Sequence, residues 1–201
     1  MFEMVIGITG GIGSGKSYVL SIMRDRFHCL TLEADQIAWE LERPSGLCYP
    51  AILSVFGQEI LGLDGQIDRQ KLGRIVFSDR KKLEQLNGIV HPAVKKTIQE
   101  RIERLQMQYP KQDIVLEAAL LIEEHYDQIC DELWFIYSEA AVRKRRLKQQ
   151  RGYSEEKIAA VMENQLSDEI FRKHCDCVIW NDTSEKELIE QIESCLRRNR
   201  Q

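Results

Sequence analysis

Residues 10–17 read Gly-Gly-Ile-Gly-Ser-Gly-Lys-Ser and follow directly on the largely apolar run 5–9. Four glycines in eight residues are costly to order, because glycine loses more backbone freedom on folding than any other residue. Such a stretch persists where something must approach the backbone closely. The spacing Gly10-x-x-x-x-Gly15-Lys16-Ser17 is the phosphate-loop pattern. Residues 17–27 then place Val19, Leu20, Met23 and Phe27 on one helical stripe. A buried strand, a glycine turn and a helix therefore succeed one another. The turn and the first helical residues offer several backbone N–H groups to one point in space. Gly11, Ile12, Gly13, Ser14, Gly15, Lys16, Ser17 and Tyr18 are the expected nucleotide-binding set. Lys16 reaches the β- and γ-phosphates and the Ser17 hydroxyl suits Mg2+. A dinucleotide fingerprint fits less well, because the frame Gly11-x-Gly13-x-x-Lys16 lacks the third glycine.

The rest of the chain extends this unit. Residues 29–32 form a second short strand that ends at Glu33-Ala34-Asp35. Strand, helix and strand make a βαβ unit, which demands a parallel sheet. Residues 42–108 then lack a convincing strand. Helices are expected over 50–60, 69–77 and 79–87, with a break near His91-Pro92 and a long charged helix over 93–109. The sheet resumes at 114–116, closed by Glu117, and at 133–136. Ser138 is expected to cap a helix to Gln150, and Ser154 one to roughly Gln165. The last strand, 177–180, ends at Asn181, and Ser184-x-x-Glu187 is a capping box before the stripe Leu188, Ile189, Ile192, Leu196. The expected fold is α/β: a P-loop NTPase-type three-layer α/β/α arrangement with a parallel sheet core, a helical substrate-binding insertion and a lid.

Composition narrows the partners. The formal charge of -4 gives no global field for nucleic acid. No run of 18 apolar residues is present, so no membrane span is expected, and residues 1–8 do not read as a signal peptide. The six cysteines are scattered, which favours reduced, mostly buried thiols in a cytoplasmic protein. A monomer is expected. Basic residues cluster locally at 143–146 and 197–200.

Several polar residues stand where phosphoryl transfer would need them. Asp35 just past the second strand suits orienting and deprotonating an acceptor hydroxyl, or holding metal beside it; capping of the next helix is the alternative. Glu117 suits a magnesium contact through water, or a cap or ion pair. Arg143 and Arg146 share a helix face and could close over a nucleotide, with Arg146 the first choice. Asn181 could read a base or make a turn. His91 could meet a ligand or serve as a hinge. Trp39, Trp134 and Trp180 read as packing residues, with Trp39 able to border an acceptor pocket.

These residues together resemble the dephospho-CoA kinase family over nearly the whole chain. The resemblance runs through 8–17, Glu33-Ala34-Asp35, Phe56-Gly57, 64–72, 75–77, His91-Pro92, 117–123, Arg146-Leu147, 152–156, Gln165 and Asn181. It implies ATP as donor, Mg2+, and dephospho-CoA as acceptor, phosphorylated on its ribose 3′-hydroxyl. It implies a nucleotide-binding core over 1–41, 110–137 and 166–201, a helical dephospho-CoA-binding insertion over 42–109 and a lid over 138–165. It assigns catalysis to Asp35, Lys16 and Arg146, acceptor contacts to Asp35, Arg69, Arg74, His91 and Leu120, and ATP contacts to Arg146 and Asn181. The chain departs from the family pattern at Glu33, at Ala119 and at Gln150, where aspartate, proline and arginine are usual. Another small-molecule kinase, such as one for nucleoside monophosphates, shares the glycine motif. A guanine-nucleotide switch would carry Asn-Lys-x-Asp, which is absent.

Overall fold

β1 (Val5–Thr9) is buried at every position, as expected for a strand covered on both faces. The computed structural model describes residues 4–198. α1 (Lys16–Phe27) follows the glycine turn, and β2 (Leu30–Glu33) follows α1. Then come α2 (Ala34–Leu41), α3 (Tyr49–Phe56), α4 (Arg69–Ser78) and α5 (Arg80–Gln108). β3 (Ile114–Glu117), β4 (Glu132–Tyr137), α6 (Ala140–Arg151), α7 (Glu155–Glu163), α8 (Asp168–His174), β5 (Cys177–Trp180) and α9 (Glu185–Arg198) complete the chain.

The sheet order is β2-β3-β1-β4-β5, and the pairs β1–β3, β1–β4 and β4–β5 are parallel. β1 is thus flanked by strands that come later in the chain. The chain winds to one side of it and then to the other, so the loop after β1 sits at the switch point where open α/β sheets bind ligands. One face of the sheet packs Ile6, Ile8, Trp134, Ile136 and Ile179 against Val19 and Met23 of α1 and Leu188 and Ile192 of α9. Elsewhere Phe135 of β4 stacks on Phe171 of α8. The chain divides into two compact units. One runs up to Leu32 and resumes at Leu105; the other is Glu33–Arg104. The second is helical, with only a single bridge, Leu61 to Ile67, outside its helices and turns.

Four local readings differ from the sequence expectation. The helix does not break at His91-Pro92: α5 runs through it. A proline inside a helix costs about 3 kcal/mol. Val90, Val94, Ile98 and Ile102 form a buried stripe across that point, and each such side chain contributes about 1.5–3 kcal/mol, so the stripe outweighs the lost bond. Ser138 is not the cap of α6; that place is taken by Glu139. α8 was not foreseen, because seven residues with one buried side chain, Phe171, carry no readable period.

The fourth concerns the cysteines. Cys177 and Cys195, 18 residues apart, are joined by a disulfide between β5 and α9, so the expectation of only reduced thiols is corrected. The period of α9 brings Cys195 to the strand, which spacing alone does not reveal. Cys48, Cys130 and Cys175 remain thiols. Burial pushes the Cys130 and Cys175 thiols up to about 12, helped by Asp131 and Asp176, so neither is a thiolate at neutral pH. Among the described residues no helix is long and apolar enough to cross a membrane. Of the basic cluster at 197–200, residues 199 and 200 lie outside the described residues.

Candidate active site

The loop after β1 is shaped by its carbonyls. The Ser14 carbonyl accepts from Asn181 Nδ2 at 2.7 Å, Ser138 Oγ at 3.1 Å and Arg146 Nη1 at 3.1 Å. The Ile12 carbonyl accepts from Arg143 Nε at 3.0 Å. The Gly10 carbonyl accepts from Lys16 Nζ at 2.9 Å. In a trans peptide the N–H points opposite to the C=O. Drawing the carbonyls of Ile12 and Ser14 to one side therefore turns the amides of Gly13 and Gly15 to the other. Among the described residues those two amides meet no acceptor, and neither does that of Ser17 in the first turn of α1. Three N–H groups are thereby presented to an anion, with the positive end of α1 behind them.

The glycines answer to both sides of this loop. A side chain at Gly11 would collide with the Arg143 guanidinium. Gly15 has a φ of 87°, a left-handed conformation that disfavours other residues, and a Cβ there would meet Asn181 Nδ2. Arg143 is itself buried. Beyond Ile12 it donates through Nη2 to Gln165 Oε1 at 3.0 Å and lies 3.7 Å from Asp168 Oδ1. Burial pulls its pKa down and Asp168 opposes that. Gln165 Oε1 also accepts from the Ile12 amide at 2.9 Å. Arg146 reaches Gly13 O, Ser138 Oγ and, at 2.6 Å, Asn181 O. Burial lowers its pKa too, and Asp182 counters that.

Lys16 and Glu117 come together because Ile8 and Glu117 are register partners in β1 and β3. Lys16 Nζ stands 3.6 Å from Glu117 Oε1, with both side chains about seven-eighths buried (14 % and 13 % exposed). Ser17 and Tyr18 are exposed on the first turn of α1, and Leu120 is exposed after β3. The donors offered to a cation here are the Ser17 hydroxyl and the Glu117 carboxylate. Among the described residues no group of three or more His, Cys, Asp or Glu side chains forms a metal cage. Two hard oxygens suit magnesium, which takes most of its ligands from phosphate and water.

The remaining candidates belong to the second unit. Asp35 is exposed in the first turn of α2 and does not cap it; Glu33 stands at the N-cap without a side-chain bond. Arg69 begins α4 and pairs with Glu42 at 3.2 Å. Arg74 is exposed farther along α4, and His91 is half-buried within α5. Two residues that hold the loop were not singled out as binding residues from the sequence: Ser138 and Gln165, of which Gln165 had its place in the family pattern as a signal. Arg143 was expected to close over a nucleotide; it lies buried behind the loop and holds the Ile12 carbonyl.

A parallel sheet with a phosphate loop at its switch point, a lysine in that loop and a strand-end carboxylate beside it define a P-loop phosphotransferase. The comparisons with known proteins make the class particular. A description of the dephospho-CoA kinase family matches residues 4–187. A dephospho-CoA kinase of Carboxydothermus hydrogenoformans is 38 % identical over 194 residues, covering 96 % of this chain and 93 % of that protein. The crystal structure of TT1252 from Thermus thermophilus is 29 % identical and superposes with a TM-score of 0.85, covering 99 % and 98 %. Dephospho-CoA kinase from Campylobacter jejuni shares the fold, with a TM-score of 0.71 at 24 % identity over 96 % and 95 %. The chain belongs to the dephospho-CoA kinase family. It is an enzyme that phosphorylates dephospho-CoA to coenzyme A, and the family reaction draws the phosphate from ATP.

Proposed function

We propose that the loop amides of Gly13, Gly15 and Ser17, with Lys16, bind the triphosphate of ATP, and that Asp35 takes the proton of the acceptor's ribose 3′-hydroxyl as the γ-phosphoryl group is transferred. The observation that carries the nucleotide half is the set of unsatisfied loop amides turned outward by Arg143 and Asn181. Lys16 neutralises charge on the β- and γ-phosphates. It leaves Glu117 or shares itself with that carboxylate when the phosphates enter. Ser17 and, through water, Glu117 hold Mg2+, which when bound spreads the charge of the phosphate chain. Gly11, Ile12, Ser14 and Tyr18 complete the nucleotide wall. Arg146 and Asn181 act on the ATP side, with Arg146 adding positive charge behind the loop.

On the acceptor side we assign Asp35, Arg69, Arg74, His91 and Leu120. An exposed carboxylate in the first helical turn is free of a cap bond and open to a hydroxyl, which supports the role given to Asp35. Residues 42–109 are then the acceptor-binding insertion, 138–165 the lid, and 1–41, 110–137 and 166–201 the core. The enzyme acts as a monomer in the cytoplasm, without nucleic acid.

The test is one assay with ATP and Mg2+ against dephospho-CoA, a nucleoside monophosphate and no acceptor, with the site of the new phosphate read by phosphorus NMR. A 3′-phosphate on dephospho-CoA is expected. Phosphate appearing on the monophosphate alone, or at another hydroxyl, would overturn the reading.

A further inference from the structure

Within the unit Glu33–Arg104 a cleft is lined by Trp39, Glu42, Arg43, Gln66, Ile67 and Arg69. Its two cations are held in different ways. The Arg69 guanidinium is tied to Glu42, whose side chain is only 17 % exposed. Burial pushes the Glu42 carboxyl up, and the charge of Arg69 works against that. The Arg43 guanidinium lies 3.6 Å from the centroid of the Trp39 ring. Among the described residues it makes no ion pair and no side-chain hydrogen bond. A guanidinium carries five donors in a planar fork, and stacking on an indole orients that fork without using any of them. An arginine fixed in place with all its donors open, beside a second arginine, is a receptor for a bidentate anion.

Position adds to this. Trp39 stands four residues after Asp35 on α2, so the two side chains lie on one face, about 5–6 Å apart at Cβ. Arg43 stacks on the Trp39 ring, so an anion held there and the carboxylate assigned to the acceptor hydroxyl are placed by one short helix. In dephospho-CoA only a ribose ring separates the 3′-hydroxyl from the diphosphate, so one helix can address both groups. We propose that this cleft seats the diphosphate bridge of the acceptor on Arg43 and Arg69, with Trp39 as the platform that aims Arg43, and that it thereby selects a 5′-diphosphodiester over a 5′-monophosphate. The inference rests on Asp35 facing the acceptor, as proposed above, and adds the group that sets specificity.

The experiment compares the parent with Arg43→Gln, Arg43→Lys and Trp39→Phe, using dephospho-CoA and adenosine 5′-monophosphate as acceptors and thermal melting as a folding control. A charge-assisted contact of this kind contributes about 1.5–3 kcal/mol, so Arg43→Gln should raise KM for dephospho-CoA at least about tenfold. Its kcat, its KM for ATP and its KM for the monophosphate should stay within about twofold of the parent. Trp39→Phe, which keeps an aromatic face, should lose less than Arg43→Gln. Arg43→Lys, which keeps charge but not the fork, should fall between. Equal weakening for both acceptors, an effect confined to ATP, or an Arg43→Gln enzyme with an unchanged KM would overturn the inference. A parent that leaves dephospho-CoA unphosphorylated would bring down the proposed function first. A working parent matched by Arg43→Gln would bring down this inference alone.

Discussion

Asn181 Nδ2 donates to the Ser14 carbonyl at 2.7 Å, and this bond joins the end of β5 to the centre of the phosphate loop. Asn181 is only 5 % exposed, so the bond is sheltered from water. Because the Ser14 carbonyl is held back, the Gly15 amide faces outward. Asn181→Ala should therefore raise KM for ATP several-fold. It should also cost about 1–3 kcal/mol of stability, the usual penalty for removing one partner of a buried hydrogen bond. Initial rates at varied ATP and urea unfolding would check both. A variant with the parent's KM for ATP would show that Asn181 does not govern the loop.

Gly15→Ala tests the same peptide from the other side. Its φ of 87° costs a side chain about 1–2 kcal/mol, and the new methyl group would push Asn181 Nδ2 aside. The melting temperature should fall, and nucleotide binding measured by calorimetry should weaken at least about tenfold. Binding that survives intact would mean that the loop does not need its left-handed residue.

Asp35→Asn should separate chemistry from nucleotide binding. Asparagine keeps the size of the side chain and loses the base. A well-aimed charge in such a site contributes about 3 kcal/mol, or about a hundredfold in rate. The expected result is a kcat lower by about that factor, with ATP affinity unchanged, measured by single-turnover kinetics and nucleotide titration. A parent-like kcat would remove Asp35 from the reaction.

Asp68 predicts a pH dependence. Its carboxylate caps α4, accepting from Gln70 N at 2.9 Å and Lys71 N at 3.1 Å. The Lys71 amide chiefly holds its pKa below the ordinary carboxylate value, with the Gln70 amide and the charges of Lys71 and Arg74 adding to it. A depressed carboxylate stabilises the fold above its unfolded pKa, about 3.9, and that contribution is lost as pH falls through the lower folded value. Asp68→Ala should melt below the parent at pH 7, and the gap should close in acid. Asp68→Asn, which still caps a helix, should sit closer to the parent at pH 7. Melting curves between pH 2.5 and 7, a window set by that unfolded value, would show a constant gap if the cap carried no charge effect.

Much of the core was legible because its signals are short-ranged. The glycine turn, the stripe of α1 and the capping box at Ser184, where Glu187 N donates to Ser184 Oγ and Ser184 N to Glu187 Oε2, each act across a few residues. The break expected at His91-Pro92 was not found, because a local breaker was read without the buried stripe that overrides it. The disulfide escaped notice for a similar reason: Cys195 meets Cys177 only once α9 lies on β5.

The amino-acid order by itself determined that this chain wraps phosphate, since glycine spacing, lysine and hydroxyl are adjacent and their chemistry is local. Which way the loop faces was decided only in three dimensions. The donors on the Ser14 carbonyl come from 124, 132 and 167 residues away. Arg43 is set over Trp39 by the turn that ends α2. Hydrogen bonds and ring contacts depend on ångström-scale placement, and between distant residues that placement exists only after the sheet has paired and the helices have packed.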